Sequence, residues 1–304
     1  MHAWQTRLIC AFMAIACPGS VYAKTRLLVA YAGSMGAVMD QDLGPAFCRS
    51  HRCTYEGQGQ GAYGLAHRLV AHALTTDVFI SITAGPYKIL RHAGLAAQAF
   101  PVASTQMVIA YSPKGRYAPL FARAADGQVP WYQVLMKPGV TFGRTDPTTD
   151  PQGQNIVFTL QLAERYYHKP DLARMILGRI RNPRQIFTEP SLLARLQAGE
   201  LAASSSYLSA VRSLHLPYLS LPPEINLSDP RFAQSWYRRA HMSLVVHGQK
   251  RLFRPEALVF YATVLRDAPH PRLGRAFVRF LQSARAQRML HAMGYDRPRG
   301  PPLS

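Results

Sequence analysis

Three short segments carry groups that could handle an anion. Each is read as a turn that opens a helix, where backbone N–H groups are free and the helix dipole favours negative charge. The first is Ala32-Gly33-Ser34-Met35-Gly36. Ser34 stands at an N-cap position, with a hydroxyl able to cap its own helix or to donate to a bound anion. The second is Gly57 to Gly61, within Gly59-Gln60-Gly61-Ala62-Tyr63-Gly64. That string matches the dinucleotide fingerprint, but the acid that should close the next strand is missing, since Asp77 begins its strand. What remains is a glycine-rich turn that lets amides approach an anion. The third is Asp146-Pro147-Thr148-Thr149-Asp150-Pro151-Gln152-Gly153, a stiff loop offering amides and the Asp150 carboxylate, or at its plainest a helix cap.

An enzymatic reading of the same residues uses Ser34 as a nucleophile. Ala32-Gly33-Ser34-Met35-Gly36 is close to a nucleophile elbow, with Ala32 where glycine is usual. The elbow of a serine hydrolase follows several strands, whereas this one follows the first. No histidine lies beside an acid in any of the three segments, so no general base is evident and no catalytic residue is assigned.

The elements that must position these groups alternate between strand and helix, as in α/β proteins. Strands are expected at Arg26–Tyr31, Cys53–Glu56, Asp77–Ile82, Met107–Tyr111, Val140–Gly143 and Leu258–Leu265. Helices are expected at Val38–Ser50, Tyr63–Leu74, Ile156–Tyr167, Ser191–Gly199 and Arg272–Met293, with Arg297 to Ser304 as a loose tail. The first 23 residues read as an export leader. Arg7 precedes the apolar run Leu8–Ala16, and Val21-Tyr22-Ala23 offers small residues for cleavage after Ala23. Lipidation at Cys17 is the rival reading, although Ala14-Ile15-Ala16 fits a lipoprotein box poorly. The periplasm is therefore the expected compartment. Once the leader is removed, Cys48 and Cys53 are the cysteines left, and in an oxidising compartment they are expected to form a local disulfide. Metal binding by the pair has no support beyond His51, and no metal or cofactor is expected.

Thirty-five basic residues against 16 acidic ones give a net charge of +19, or +18 without the leader's Arg7. The arginines are dispersed, often on the polar side of helical patterns, as at Arg174, Arg179 and Arg184. No aromatic-interleaved basic stripe suggests nucleic acid, so the surplus is read as solvated surface with some attraction for small anions. Salt-sensitive binding of a polyanion is the remaining alternative.

Taken together, Tyr31-Ala32-Gly33-Ser34-Met35, Asp77-Val78-Phe79-Ile80-Ser81, Phe142 to Gly153, Leu160 to Tyr167 and Leu221 to Pro230 resemble class II periplasmic binding proteins. The resemblance is to the archaeal-type tungstate/molybdate-binding family of ABC transporters, over nearly the whole mature chain. It implies two α/β lobes, with 24–107 plus 217–304 forming lobe one and 108–216 lobe two. A ligand cleft would lie between them, and the chain would act as a monomer that hands its ligand to an inner-membrane permease. In that family serines, amides and two carboxylates hold the oxyanion. The resemblance maps Ser34 onto a family serine and Asp150 onto the first carboxylate. Ser206, followed by Tyr207, stands where the second would be. The ligand shell expected on this basis is Ser34, Gly59, Gln60, Ser81, Asp150, Ser206 and Tyr207. With one carboxylate replaced, tetrahedral anions such as sulfate, phosphate or arsenate stand as alternatives to molybdate and tungstate.

Overall fold

The computed structural model describes residues 24–246 and 248–304. The expected leader, with Cys17, lies outside the described residues. Strand β1 (Arg26–Ala32) has a buried inner stretch, so it forms where both faces can be covered. It ends in a single 3-10 turn, Gly33–Met35, which runs through a wide turn at Val38–Leu43 into α1 (Gly44–His51). There follow β2 (Thr54–Gln60), α2 (Ala62–Val70), β3 (Val78–Ile82), α3 (Gly85–His92) and β4 (Phe100–Ser104). The chain then enters β5 (Met107–Tyr111), α4 (Ala118–Ala125), α5 (Trp131–Leu135), β6 (Phe142–Gly143), α6 (Pro151–Tyr166) and α7 (Leu172–Leu177). Next come α8 (Glu189–Ala198), β7 (Ala203–Tyr207), α9 (Leu208–Ser213) and β8 (Tyr218–Leu219). A hairpin of β9 (Met242–Val246) and β10 (Gln249–Phe253) precedes β11 (Val259–Val264), α10 (Pro271–Gln282) and α11 (Ala284–Ala292).

Two sheets define two lobes. The first has the order β2-β1-β3-β11-β4, with β1 parallel to β2 and β3, and β11 antiparallel to β3 and β4. The second has the order β6-β7-β5-β8. Tyr218–Leu219, just beyond the expected return to lobe one at 217, is still hydrogen-bonded to β5 in the second sheet. Two crossing segments link the lobes and bond to each other. Met107 N–H donates to the Asn226 carbonyl. The Asn226 side-chain amide donates to Gln106 Oε1 at 2.7 Å.

Three local expectations are corrected. Gly57 to Gln60 is not a turn but the second half of β2, paired along its length with β1. Helix α6 begins at Pro151 instead of Ile156, because Asp150 caps it by accepting from Gln152 N–H. The last helix is two helices, broken at Ser283, whose hydroxyl accepts from Ala286 N–H to start α11. Cys48 and Cys53 form the expected disulfide, joining α1 to the segment before β2. No described helix is long and apolar enough to cross a membrane.

Candidate functional site

The C-terminal end of β1 and the N-terminal ends of α2, α6 and α8 converge between the sheets. From lobe one come the Gly33–Ser34 turn and Gly61, which caps α2. From lobe two come Asp150 at the start of α6 and Glu189 at the start of α8. The lobes are in contact here: Gly64 N–H, in the first turn of α2, donates to the Thr149 carbonyl at 3.1 Å. A cavity of about 620 Å³ lies alongside, lined by Gly59, Gln60, Gly61, Thr145, Asp150 and Glu189 among others.

Ser34 is buried, and its hydroxyl has no hydrogen-bond partner among the described residues. Its carbonyl accepts from the Tyr295 hydroxyl at 2.9 Å, which fixes the turn. An unsatisfied buried hydroxyl costs about 1–3 kcal/mol.

Asp150 is buried against the cavity, and burial together with the Asp146 charge pushes its carboxyl up to about 6. The Gln152 N–H at 2.9 Å pulls the other way, as does the Thr145 hydroxyl. That hydroxyl is near enough to favour the charged form but makes no hydrogen bond of good geometry. Glu189 is raised well above the ordinary range by burial and by the charge of Asp150, with Gln152 and the Ser34 amide opposing. The two acids therefore face one site. No lysine or arginine pairs with either among the described residues.

Gln152 connects the parts. Its Nε2 donates to Glu189 Oε1 at 3.2 Å, while its Oε1 accepts from the Ser205 hydroxyl at 2.9 Å. The Tyr207 hydroxyl accepts from Asn155 Nδ2 at 3.0 Å. Burial and the nearby charge of Asp150 hold that phenol well above its usual value.

Of the residues expected from sequence, Ser34, Asp150 and Tyr207 converge, and Gly59 and Gln60 line the cavity from strand β2. Ser81 does not join them. It lies inside β3 and its hydroxyl donates to the Thr83 carbonyl at 3.0 Å, stabilising the turn where Thr83 adopts a positive φ of 66°. Ser206 is fully buried, and its hydroxyl makes a long bond, 3.5 Å, to the Tyr207 carbonyl. Its cross-strand partner is Val108, which packs with Leu192 and Leu196 of α8, so Ser206 points to the α8 face of the sheet.

Sequence reasoning missed Glu189, Gln152 and Ser205. A signal for the first was present: Pro190 at the second position of a helix marks its start, and an acid in the first turn is then placed at the positive end of the dipole. Among the described residues no cluster of three or more His, Cys, Asp or Glu could hold a metal ion.

Two lobes joined by two linking segments and meeting at a polar site are the architecture of a two-lobed binding protein. The chain belongs to the bacterial extracellular solute-binding protein family, whose pattern matches residues 27–296. It is 29% identical over 213 residues to the molybdate/tungstate-binding protein WtpA of Pyrococcus abyssi, a match covering 64% of this chain and 60% of that one. It is 37% identical over 134 residues to a putative ABC transporter molybdenum-binding protein of Haloferax volcanii, covering 44% and 41%. The matches thus span about 40–60% of the length of these curated relatives. In fold it is similar to the periplasmic molybdate-binding protein of Azotobacter vinelandii, with a TM-score of 0.63 at 14% identity, covering 91% of this chain and all of the other. The sulfate-binding protein SubI of Mycobacterium tuberculosis gives 0.60 at 14% identity, covering 92% and 88%.

Proposed function

We propose that this chain is an exported receptor that captures a small oxyanion of the molybdate or tungstate type between its lobes and presents it to an ABC importer in the inner membrane. The observation that carries this reading is the buried, unpartnered Ser34 hydroxyl on lobe one, set against the Asp150 and Glu189 carboxylates of lobe two. Hydroxyl and amide dipoles suit the oxygens of an oxyanion. Nearby carboxylates suit one whose central atom is large enough to take further oxygen ligands. The printed functions of the WtpA and Haloferax relatives agree with that class. Ser34, Asp150 and Tyr207, with amides at the start of α2, form the proposed ligand shell; residues 1–23 supply the export signal.

A second reading takes its support from Asp150, whose carboxyl is pushed up to about 6. Such a group accepts a proton readily, and this suits hydrogen phosphate or hydrogen arsenate. The test is a thermal-shift screen of the mature protein against molybdate, tungstate, sulfate, phosphate and arsenate. A ligand at 100 times its Kd stabilises the native state by about 2.7 kcal/mol, an easily read shift. Tungstate and molybdate should give the largest shifts, phosphate or arsenate would transfer support to the second reading, and no shift with any of the five would refute both.

A further inference from the structure

Helices α10 and α11 hold a charge pattern that nothing within the chain uses. Between Asp267 and Asp296 the sequence has five arginines, two histidines and no acidic residue. The arginines are Arg272, Arg275 and Arg279 on α10, with Arg285 and Arg288 on α11. All five are exposed, and among the described residues none makes an ion pair or a side-chain hydrogen bond. Other surface arginines do meet acids, as Arg26 meets Glu56, Arg195 meets Glu200 and Arg231 meets Asp229.

Spacings of three and four residues set Arg272, Arg275 and Arg279 on one face of α10. The opposite face carries Phe277, Val278 and Leu281 into the core, where the Phe277 ring meets that of Phe47 at 5.0 Å. The basic face is thereby held outward. These cations do not stabilise the helix itself: Arg272 stands in the first turn, at the positive end of the dipole, where an acid would be favourable. A Cβ on Gly274 would lie 3.3 Å from Val78 Cγ2 and 3.4 Å from the Asp77 carbonyl oxygen, so α10 starts where β3 begins. The cleft lies off the C-terminal end of β1, which runs parallel to β3. A partner seated on the first turns of α10 therefore leaves the cleft uncovered.

We propose that the basic face of α10, continued by α11, is a docking surface for an anionic phospholipid bilayer, to which the mature protein adsorbs without inserting. Lipid phosphates form a plane of negative charge that several arginines on one rigid helix meet together, each adding to the attraction. The apolar side of α10 is committed to the core, so the contact is electrostatic and no side chain enters the acyl region. Screening confines the attraction to about 10 Å at 0.1 M salt, which requires this face to lie against the headgroups. That the chain meets a membrane surface, and not nucleic acid, rests on the export proposed above; vesicle binding itself is a property of the mature chain.

The experiment is sedimentation of the mature protein with vesicles of phosphatidylglycerol and phosphatidylcholine, and with phosphatidylcholine alone, at low and high salt. Wild type is compared with Arg272→Gln, Arg275→Gln and Arg279→Gln combined. A control combines Arg165→Gln, Arg179→Gln and Arg184→Gln, which removes the same charge from exposed positions of lobe two. Melting curves establish that all three proteins are folded. Wild type should bind the mixed vesicles at low salt, leave them at high salt and ignore phosphatidylcholine. Each arginine near an anionic surface contributes about fivefold, so the α10 variant should bind on the order of 100-fold more weakly, with the control close to wild type. Equal losses in the two variants would overturn the proposal, because net charge alone would then drive adsorption. Wild type that fails to bind mixed vesicles, or that stays bound at high salt, would overturn it as well. A DNA duplex is titrated in parallel: duplex binding lost in the α10 variant while vesicle binding is kept would assign the face to nucleic acid instead. Recovery of the full chain from the cytoplasm with its leader uncleaved would sink the export reading and leave the vesicle result standing.

Discussion

Gly61 is where the closed arrangement can be tested with a single methyl group. A Cβ placed there would lie 2.8 Å from the Thr149 carbonyl oxygen and 3.2 Å from both Cβ and Oδ2 of Asp150, all on the opposite lobe. The backbone at Gly61, with φ −56° and ψ 120°, is acceptable to any residue, so Gly61→Ala introduces no local strain. The cost falls on closure alone. Overpacking of this kind costs about 1–3 kcal/mol. The bond from Gly64 N–H to the Thr149 carbonyl, worth about 1 kcal/mol, would stretch or break with it. A total near 2–4 kcal/mol weakens ligand binding by about 30- to 1000-fold. Folding stability without ligand should stay level or rise slightly, because alanine restricts the unfolded chain and the lobes can relax by parting. Calorimetric titration with tungstate gives the affinity, and small-angle scattering shows whether ligand still contracts the particle. Wild-type affinity together with a wild-type contraction would mean that the lobes do not close along the Gly61–Thr149 contact, and the placement of the site would be wrong.

Ser34→Ala should weaken oxyanion binding by about 1.5–3 kcal/mol, roughly 10- to 150-fold, and leave the melting temperature in the absence of ligand unchanged or higher, since an unsatisfied hydroxyl is removed; equal calorimetric affinities would take Ser34 out of the site. The raised carboxyl of Asp150 gives a pH dependence of definite sign. The folded state holds its proton more tightly than the unfolded chain, so the stabilisation is complete below the ordinary carboxylate range and is lost as pH rises through about 6. The shift from 3.8 to about 6 amounts to about 3 kcal/mol. Urea midpoints should therefore fall for wild type relative to Asp150→Asn between about pH 4 and pH 7, and a difference of opposite slope would contradict the assignment. Replacing Cys48 and Cys53 by serine opens a short loop, for which chain entropy gives a loss of about 2 kcal/mol, visible as a melting point a few degrees lower. No change in melting would show that the crosslink leaves lobe-one stability unaffected.

The sequence made β5 plain, as the apolar run Met107 to Tyr111 has both faces covered and polar neighbours at its ends. It also marked Ser34 and Asp150, because a hydroxyl after a strand and an acid before a proline are local signals of helix starts. The glycines of β2 misled for a physical reason. Gly57 and Gly59 look like turn residues, but Gly59 is needed because the Tyr31 ring lies 2.6 Å from where its Cβ would be. That demand comes from the neighbouring strand and leaves no trace in local pattern. The start of α6 was hidden in the same way. Gln152, Gln154 and Asn155 are polar yet buried, since they meet Glu189, the Pro147 carbonyl and Tyr207 across tertiary contacts. Glu189 was overlooked because its significance depends on Gly33, 156 positions earlier in the chain.

Charge is distributed unevenly between the whole molecule and its site, and the two scales serve different purposes. A net charge of +19 raises the local concentration of small anions and speeds encounter, without regard to which anion arrives. Part of that charge lies at a second opening between the lobes, of about 400 Å³, lined by Lys88, Arg251 and Arg254 together with Tyr63 and Asn155. Lys88 is partly neutralised there by Glu256 at 3.1 Å. Had arginines lined the inner site, every dianion would be held strongly and sulfate, phosphate and tungstate would compete on nearly equal terms. The inner site instead offers the hydroxyls of Ser34 and Thr145, helix-terminal amides and two acids that resist sharing a small space as charges. Attraction at long range is thus the part of the surface charge, whereas the cleft itself holds two buried acids. Burial first, and their nearness second, favours a proton on these acids over charge.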